Sequence, residues 1–393
     1  MNRLPRILFV LNPSIGRNSC WVRARIFKDI FLDNGWHVEY VDWTPDSSQN
    51  ILAKSSRLNN KIVRLARNFD VVYLIKVPSL YFVRRLKASC HAKVVFDLND
   101  ALWNSHHQYQ WKSLVEILQN VDAVFAENEY LASYARKYHH TVRVVPDSAP
   151  LERFDAMRSI REKQPNDKTV IGWVGSPSTL GALAAIQQPL ERVFERYANL
   201  ELRIVGCSNV SMLPQFKHVN YSIIPDGYDE KILIREILNL DIGLFPPPSD
   251  IDDYCARGAL KAVLYMAGGV PCVCQAAGDC AVLIQDGSNG MLATSQEEWI
   301  EKIEVLVDSP QLRVEMGRRG LELVRNQRAL LPVFSQLKDA LRDVMSLQHR
   351  TTFSRVTMGA QVKCVECKQM IEYVIKRLAT VCRKRTYTWK CRQ

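Results

Sequence analysis

The stretch Thr169-Val-Ile-Gly-Trp-Val-Gly-Ser-Pro-Ser-Thr179 is an apolar strand pattern that ends in glycine, and a helical pattern follows it from Leu183 to Tyr197. A continuous apolar run is typical of a strand that is buried on both faces of a parallel sheet. The glycine permits a tight turn between the strand and the helix. This unit therefore predicts an α/β fold in which strands and helices alternate along the chain.

The same alternation continues in both directions from this unit. Upstream, six short apolar runs alternate with helical patterns; they are Arg6–Leu11, His37–Trp43, Val71–Ile75, Lys93–Asp97, Ala123–Ala126 and Val142–Val145. Downstream, four further runs predict strands; they are Leu200–Gly206, Tyr221–Pro225, Asp241–Phe245 and Val270–Cys274. Parallel strands joined by right-handed crossovers give two doubly wound, Rossmann-like domains.

The pattern divides the chain into five parts. We expect an N-terminal domain over residues 1–150, a polar connection over 151–168 and a C-terminal domain over 169–329. An amphipathic helix over residues 330–345 and a tail over 346–393 complete the chain. Two such domains in tandem place a cleft between the carboxyl ends of two parallel sheets, where open α/β sheets bind their ligands.

The positive charge of the chain lies mostly in its tail. The 393 residues include 52 Lys+Arg and 41 Asp+Glu, which gives a formal net charge of +11. Residues 346–393 hold 11 Lys+Arg and 2 Asp+Glu, so 41 and 39 remain for the body. The nearly neutral body gives no reason to expect nucleic acid as a partner. The basic tail, which mixes apolar residues between Met370 and Leu378 with lysine and arginine, suits an anionic membrane, a nucleic acid or solubility alone.

The N-terminus and the cysteines predict a cytoplasmic protein that can attach peripherally to the inner face of a membrane through its tail. Met1–Phe9 leads directly into a strand pattern without the apolar region of a signal peptide. Seven of the eleven cysteines lie in the body, several in apolar runs, which favours buried thiols in a reducing compartment. In the tail, Cys364-Val-Glu-Cys367 could begin a zinc site, but no second close pair follows, so thiols are favoured.

Two segments of the C-terminal domain carry candidate anion-binding residues. In Gly175-Ser176-Pro-Ser-Thr179, the backbone N–H groups and hydroxyls of a helix start could donate to a phosphate, and an ordinary capped turn is the alternative. Arg257 and Lys261 lie four residues apart at the start of a predicted helix, so one helix face would present both. A basic pair is unfavourable in the first turn of a helix, which favours a bound anion such as a diphosphate.

Candidates on the N-terminal domain lie at the ends of predicted strands. Asp97 and Asp100 could orient the hydroxyl groups of a substrate, with a helix cap and a salt bridge as an equal alternative. Lys76 directly follows the run Val71–Ile75, and a structural ion pair is an equal alternative for it. His106 and His107 lie on a predicted cleft loop, although a surface loop is the more common place for such histidines.

An ordered set of motifs resembles the family-four retaining glycosyltransferases of GT-B fold (glycosyl transferases group 1). The C-terminal motifs are Gly172-Trp-Val-Gly-Ser-Pro177, Leu202-Arg-Ile-Val-Gly206, Asp241-Ile-Gly-Leu-Phe-Pro246, Arg257-Gly with Lys261 and Tyr265-Met-Ala-Gly-Gly-Val-Pro271, and Asp286-Gly-Ser-Asn-Gly-Met-Leu292. The N-terminal motifs are Phe96-Asp-Leu-Asn-Asp-Ala-Leu-Trp103 and Asn128-Glu-Tyr-Leu-Ala-Ser-Tyr-Ala135. The resemblance covers about residues 6–345.

The resemblance implies that the C-terminal domain holds a nucleotide-sugar donor. Gly175, Ser176, Arg257 and Lys261 would then face the diphosphate, and Gly278 would lie in the adjacent loop. With no metal and no cofactor, the basic side chains and the helix N-terminus would stabilise the charge that develops on the leaving group.

The resemblance also places the acceptor against the N-terminal domain. Gly16, in residues 12–17, would belong to a glycine-bearing first loop that contacts the donor. Arg23 or Arg25 would reach the cleft from the helix that follows. The implied reaction transfers a sugar, with retention of configuration, to a saccharide or lipid-linked saccharide in cell-surface polysaccharide or glycolipid synthesis.

Two positions depart from the pattern of the family. Many members carry two glutamates separated by seven residues, and the corresponding residues here are Ala256 and Leu264, neither of which can accept a ribose hydroxyl. The departure keeps open a non-catalytic sugar-nucleotide or glycan-binding protein of the same fold. A sugar-nucleotide epimerase is the nearest enzyme alternative, and a nucleic-acid binder acting through the tail is a third.

Overall fold

The computed structural model describes most of the chain up to residue 348. The described residues are 3–44, 51–104, 111–159, 168–207, 211–225, 229–247, 251–348, 359 and 362–363. The predictions for His106, His107 and the tail cysteines lie outside the described residues, as does nearly all of the basic tail.

The chain forms two six-stranded sheets in which every pairing is parallel. The first sheet consists of β1 Arg6–Leu11, β2 His37–Asp42, β3 Val71–Ile75, β4 Lys93–Leu98, β5 Ala123–Ala126 and β6 Val142–Val144. The second consists of β7 Thr169–Val174, β8 Leu200–Val205, β9 Tyr221–Ile224, β10 Ile242–Phe245, β11 Cys272–Gln275 and β12 Met291–Ala293. The predicted α/β fold with two doubly wound domains is confirmed.

Helices connect the strands and cover the sheets. Those up to the start of the second sheet are α1 Pro13–Arg23, α2 Lys28–Asp33, α3 Ile51–Ala66, α4 Leu80–Ser89, α5 Leu114–Asn120, α6 Glu129–Arg136 and α7 Leu151–Ser159. The others are α8 Gln187–Arg196, α9 Glu230–Leu238, α10 Ile251–Ala256, α11 Leu260–Ala267, α12 Gly278–Leu283, α13 Gln296–Asp308, α14 Pro310–Leu323 and α15 Leu330–Ser346. A 3₁₀ segment, Pro177–Ile186, precedes α8.

The strand orders locate the point in each sheet where ligands of such folds bind. The first sheet has the order β2-β1-β3-β4-β5-β6, so the direction of chain progress reverses between β1 and β3. The second has the order β12-β11-β10-β7-β8-β9 and reverses between β7 and β10. In open α/β sheets, the crevice at the carboxyl ends of the strands beside this reversal is the usual ligand site.

The chain crosses between the two domains twice, and the crossings run side by side. The backbone N–H of Ala149 donates to the Arg328 carbonyl oxygen over 2.8 Å, and Ala149 also forms a parallel bridge with Ala329. After the second crossing, α15 returns to the first domain and packs in one cluster with the buried strand residues Ile7 and Phe9. Helix α7, in the predicted connection, packs with the core of the second domain.

Three local predictions were wrong. Residues 12–17 were expected to form a loop, whereas α1 begins at Pro13, because proline is favoured in the first turn of a helix. Strand β12 was not predicted, since its three residues follow a turn-rich segment. The helix that was expected to carry both Arg257 and Lys261 is interrupted between α10 and α11.

The body contains no disulfide among its described residues, and six of its seven cysteines are buried, as predicted for thiols in a core. In the part of the chain that the structure describes, no helix is long and apolar enough to cross a membrane.

The packing of α15 predicts a large effect for one substitution in that helix. The ring of Phe334 is 2% exposed and meets the ring of Phe31 edge-on, at 4.9 Å between centroids. We expect Phe334→Ala to lower the free energy of unfolding by about 3–5 kcal/mol, as for other buried aromatic side chains. Leu331→Ala is the control in the same helix, because Leu331 is 59% exposed. Denaturant unfolding followed by circular dichroism measures both, and equally small effects would contradict the docking of α15.

Candidate active site

The side chain of Lys261 lies at the point where the second sheet reverses its strand order. Its Nζ atom stands 4.4 Å from the ring centroid of Trp173 on β7 and 5.3 Å from that of Phe245 on β10. Both rings come from the carboxyl ends of their strands. An ammonium group over an aromatic face is stabilised by the ring quadrupole, and indole is the strongest such partner. A single cation is therefore held at the expected ligand position of this sheet.

Helix α11 is fixed to the sheet one turn beyond this lysine. The hydroxyl of Tyr265 donates to the Leu244 carbonyl oxygen at 3.1 Å and accepts from the Val174 N–H at 2.9 Å. Gly243 is required beneath the ring, because a Cβ atom there would lie 2.5 Å from Tyr265 Cγ. The tyrosine thereby sets the height of Lys261 above the strand ends.

The surroundings of Lys261 disfavour the charged form of its side chain. Burial first and the positive charge of Arg257 second lower the pKa of Lys261 to about 7, against a smaller opposite effect of Cys207. A diphosphate beside the ammonium would favour the charged form and raise this pKa. The site is thus suited to a group that brings negative charge with it.

Arg257 comes close to Lys261 from the end of a different helix. It follows the last residue of α10, where its guanidinium pairs with Asp253 one turn earlier, with 3.0 Å between Nε and Oδ2. The expectation that one helix face presents both cations was wrong. The two are brought together instead by the break at residues 257–259, and a cation at the end of α10 agrees with the helix dipole.

The turn after β7 also contacts the indole beneath Lys261. A Cβ atom at Gly175 would lie 2.4 Å from Trp173 Cη2 and 2.8 Å from Thr179 Oγ1, so only glycine fits. The hydroxyl of Thr179 donates to the Ser176 carbonyl oxygen at 3.1 Å, whereas the Ser176 side chain does not cap the 3₁₀ segment. The turn lies beside Lys261 as expected, but Thr179 is engaged within it.

Gly278 begins α12 and packs against α10. Its φ of +57° is in the left-handed region, and a Cβ atom there would lie 2.8 Å from Cys255 Cα. The next residue, Asp279, accepts the Ala259 N–H at 3.1 Å and pairs with the buried Arg328 at 3.3 Å. The loop predicted to adjoin the diphosphate thus holds the start of α11, which the sequence did not reveal.

A buried charge network lies beneath the carboxyl ends of the first sheet. The guanidinium of Arg23 on α1 donates to Asp97 on β4 at 3.0 Å, to the Val145 carbonyl oxygen at 2.6 Å and to Asp147 at 3.3 Å. The Tyr73 hydroxyl donates to the same Asp97 carboxylate at 2.5 Å. Asp97 is completely buried. Its contacts support the structural alternative, since both carboxylate oxygens already have donors.

Lys76 and Asp100 form an ion pair at the carboxyl edge of the first sheet. Lys76 is buried and has a φ of +57°, the only left-handed conformation of a non-glycine residue among the described residues. Such a backbone costs about 1–3 kcal/mol and is found most often at functional sites. Asp100 is the more exposed member of the pair, since its side chain is 30% exposed. The structure brings these two predicted residues together.

Two other candidates on the N-terminal domain, Arg25 for the acceptor and Gly16 for the donor, are placed apart from this pair. Arg25 lies on the surface, where it pairs with Asp42 at 2.8 Å and covers the ring of Tyr40, so Arg23 and not Arg25 points into the domain. Gly16 lies within α1, not in the expected loop.

Glu127 is a candidate that the sequence reasoning missed. It follows β5 directly and is 6% exposed. Burial raises its pKa well above the ordinary value, and the neighbouring Asp147 carboxylate, with which it shares a hydrogen bond, raises it further against the effect of Arg23. A Cβ atom at Gly258 would lie 1.7 Å from Glu127 Oε1, so the carboxyl group touches the break of the second domain. Its position after a strand end was the available signal.

Ala256 and Leu264, where the family has glutamates, lie in apolar surroundings. Ala256 is fully buried and packs with the core of the first domain, whereas Leu264 packs with that of the second. No group of three or more His, Cys, Asp or Glu side chains in the described ranges is placed to hold a metal ion.

Comparison with known proteins gives the same fold. No family model matches the chain. It is 26% identical over 207 residues to a D-inositol 3-phosphate glycosyltransferase of Corynebacterium aurimucosum, covering 48% of this chain and 47% of that protein. A protein of the same name from Corynebacterium kroppenstedtii is 24% identical over 180 residues, covering 40% of this chain and 37% of that one. The matched region thus spans less than half the length of these relatives.

Solved structures extend the similarity to nearly the whole body. HepE of Anabaena with UDP and glucose has a TM-score of 0.63 at 15% identity, covering 86% of this chain and 100% of that one. Sucrose-phosphate synthase of Thermosynechococcus elongatus has a TM-score of 0.64 at 15% identity, covering 87% of this chain and 99% of that one. UDP-forming trehalose-phosphate synthase of Burkholderia xenovorans has a TM-score of 0.63 at 12% identity, covering 88% of this chain and 100% of that one. These likenesses show the GT-B fold, and the resemblance seen in the motifs is confirmed.

The lowered pKa of Lys261 predicts a stabilising substitution. The unfolded chain keeps the ordinary lysine pKa, so the charged side chain destabilises the fold most fully below pH 7, and its cost decreases as pH rises from 7 towards 10.5. We expect Lys261→Met to raise the unfolding midpoint by about 2 °C or more at pH 6, and by less at pH 9. Differential scanning fluorimetry at both values measures this, with Lys231→Met, at an exposed position, as control. A lower midpoint at pH 6 would contradict the assigned environment.

Proposed function

We propose that the protein is a glycosyltransferase that moves a sugar from a nucleotide-sugar donor to a saccharide or lipid-linked saccharide, with retention of configuration and without a metal. The observation that carries this proposal is the half-buried Lys261 side chain, whose ammonium lies over Trp173 and beside Arg257 at the strand reversal of the second sheet. Two neighbouring cations that are partly removed from water cost free energy, and a diphosphate would compensate that cost. The relatives named glycosyltransferases and the neighbours described with UDP support a donor of this chemistry.

The proposed chemistry depends on stabilising the leaving group. As the bond between sugar and diphosphate breaks, negative charge develops on the phosphate oxygens. Lys261 and Arg257 would be preorganised to stabilise that charge, and a dry site strengthens the interaction. With its pKa lowered to about 7, Lys261 would take up a proton as the donor binds above neutral pH.

The acceptor would lie at the carboxyl edge of the first sheet. Asp100 is the half-buried member of the pair with Lys76 and would orient an acceptor hydroxyl by accepting its hydrogen bond. The hydroxyl would then attack from the face that the diphosphate leaves, which gives retention.

A non-catalytic sugar-nucleotide-binding protein is the second candidate. Ala256 and Leu264 favour it, because neither side chain can hydrogen-bond the donor. This candidate predicts saturable donor binding with no turnover for any acceptor, whereas the proposed transferase releases nucleoside diphosphate only together with a glycosylated product.

Substitutions of the two cations test the proposed reaction. We expect Lys261→Met and Arg257→Met each to lower kcat/KM for a UDP-sugar by about 100-fold or more, because each removes charge stabilisation of the leaving group. A coupled assay of UDP release, with a panel of saccharide and lipid-linked acceptors, measures the rates, and Lys231→Met is the charge-matched control. Normal turnover in both cation variants would contradict the assignment. Nuclear magnetic resonance of the product gives the anomeric configuration, and activity in EDTA tests metal independence.

Attachment of the basic tail to a membrane surface is a separate proposal, supported by its +9 charge alone. Truncation after Gln348 is a suitable test, because the Gln348 carbonyl oxygen still accepts from Lys93 in the body. We expect the full chain, but not the truncated one, to sediment with vesicles that contain phosphatidylglycerol, since each basic residue near an anionic surface contributes about 1 kcal/mol. Equal sedimentation of both chains would refute this proposal, and steeply salt-dependent binding of DNA would favour the nucleic-acid alternative.

A further inference from the structure

Residues at the start of α6 in the first domain reach across to the second domain. The Nδ2 group of Asn128 donates to the carbonyl oxygens of Ala256 at 3.2 Å and Cys255 at 3.4 Å. The Tyr130 hydroxyl donates to Asp252 at 3.4 Å. The Glu127 carboxyl adds a contact with Gly258, so residues along α10 and just beyond its end are all contacted from the first domain. We call residues 127–130 the cross-domain latch.

The latch holds the segment from which the two cations of the site extend. Residues 257–259 lie between α10 and α11, with Arg257 at one end and Lys261 just beyond the other. On the far side of the segment, Asp279 accepts the Ala259 N–H at 3.1 Å. The segment is therefore fixed from the first domain at one end and from within the second domain at the other.

The side-chain amide of Asn128 caps a helix with its oxygen and contacts the other domain with its nitrogen. Its Oδ1 atom accepts the Leu131 N–H at 3.0 Å and caps α6, while its Nδ2 atom donates across the domains. The side chain is 3% exposed, so both bonds are shielded from water. An aspartate would retain the cap, but its second carboxylate oxygen would face two carbonyl oxygens in place of the donating amide group.

We propose that Asn128 is a positioning residue that holds Arg257 and Lys261 in register for the diphosphate of the donor. The inference rests on the proposed function, and it means that a residue of the acceptor-side domain positions the donor-binding cations. Glu127 completes the latch sterically, since the room it occupies exists only because residue 258 is glycine.

The experiment compares Asn128→Asp with the wild type by two measurements. Calorimetry of UDP binding, at a temperature where both proteins are folded, should show at least tenfold weaker binding for the variant. The unfolding midpoint should also fall, because the variant keeps the cap of α6 but buries a carboxylate against two carbonyl oxygens. A pH titration of Lys261 by nuclear magnetic resonance should show a higher pKa in the variant, because a displaced Arg257 no longer opposes the charge. If the asparagine were merely structural, the variant would have a lower unfolding midpoint but wild-type UDP affinity in its folded state. The Lys261 pKa is also compared in Gly258→Ala, which adds no charge that could shift it directly. Ser309→Asp places the same new charge at the cap of α14, away from the latch, and should leave both unchanged.

Gly258→Ala is the second variant, because its methyl group must displace Glu127 without any new charge. It should weaken UDP binding in the same direction, which keeps the inference testable if Asn128→Asp fails to fold. Wild-type UDP affinity and an unchanged Lys261 pKa in either folded variant would overturn the latch. If the wild type binds no UDP, the proposed function fails for a uridine-containing donor, and the Lys261 titration still decides the latch.

Discussion

The proposed donor site depends on one interaction, the contact of the Lys261 ammonium with the indole of Trp173 at the carboxyl edge of the second sheet. Burial and the nearby Arg257 oppose the charge of this lysine, whereas the aromatic face and a bound anion favour it. The position is fixed by the fold, because Tyr265 ties α11 to the ends of β7 and β10. The charged Lys261 therefore lowers the stability of the free protein, and a negatively charged ligand would offset this loss.

The rest of the molecule places a second strand edge opposite this cation. Helix α15 returns to the first domain after the second crossing and joins the same cluster as β1, which ties the end of the body to its beginning. The Arg23 network fixes the carboxyl ends of the first sheet, and Glu127 extends from that edge to Gly258. The two sheets therefore meet through specific side chains, and the cations lie at the point of contact.

Strands and their order of appearance could be predicted from the sequence, because β1, β3 and β5 are apolar runs with no competing pattern. The site was predicted only in part. Lys261 and the Gly175 turn were identified, and the pattern from Leu260 to Ala267 predicts α11. Arg257 was nevertheless expected on the same helix face as Lys261, although Gly258 between them disfavours a continuous helix. Glu127 was missed for a different reason: its importance comes from Gly258, which is 131 positions away and meets it only through packing between domains.

The pKa of Lys261 with and without UDP tests the central claim most directly. Chains with ¹³C-labelled lysine, and Lys261→Arg to assign the signal, allow the side chain to be titrated by nuclear magnetic resonance. We expect a titration midpoint of about 7 for the Lys261 ammonium in the free protein and a clearly higher one with UDP bound. A midpoint near the ordinary lysine value of 10.5 in the free protein, or one that UDP leaves unchanged, would contradict it.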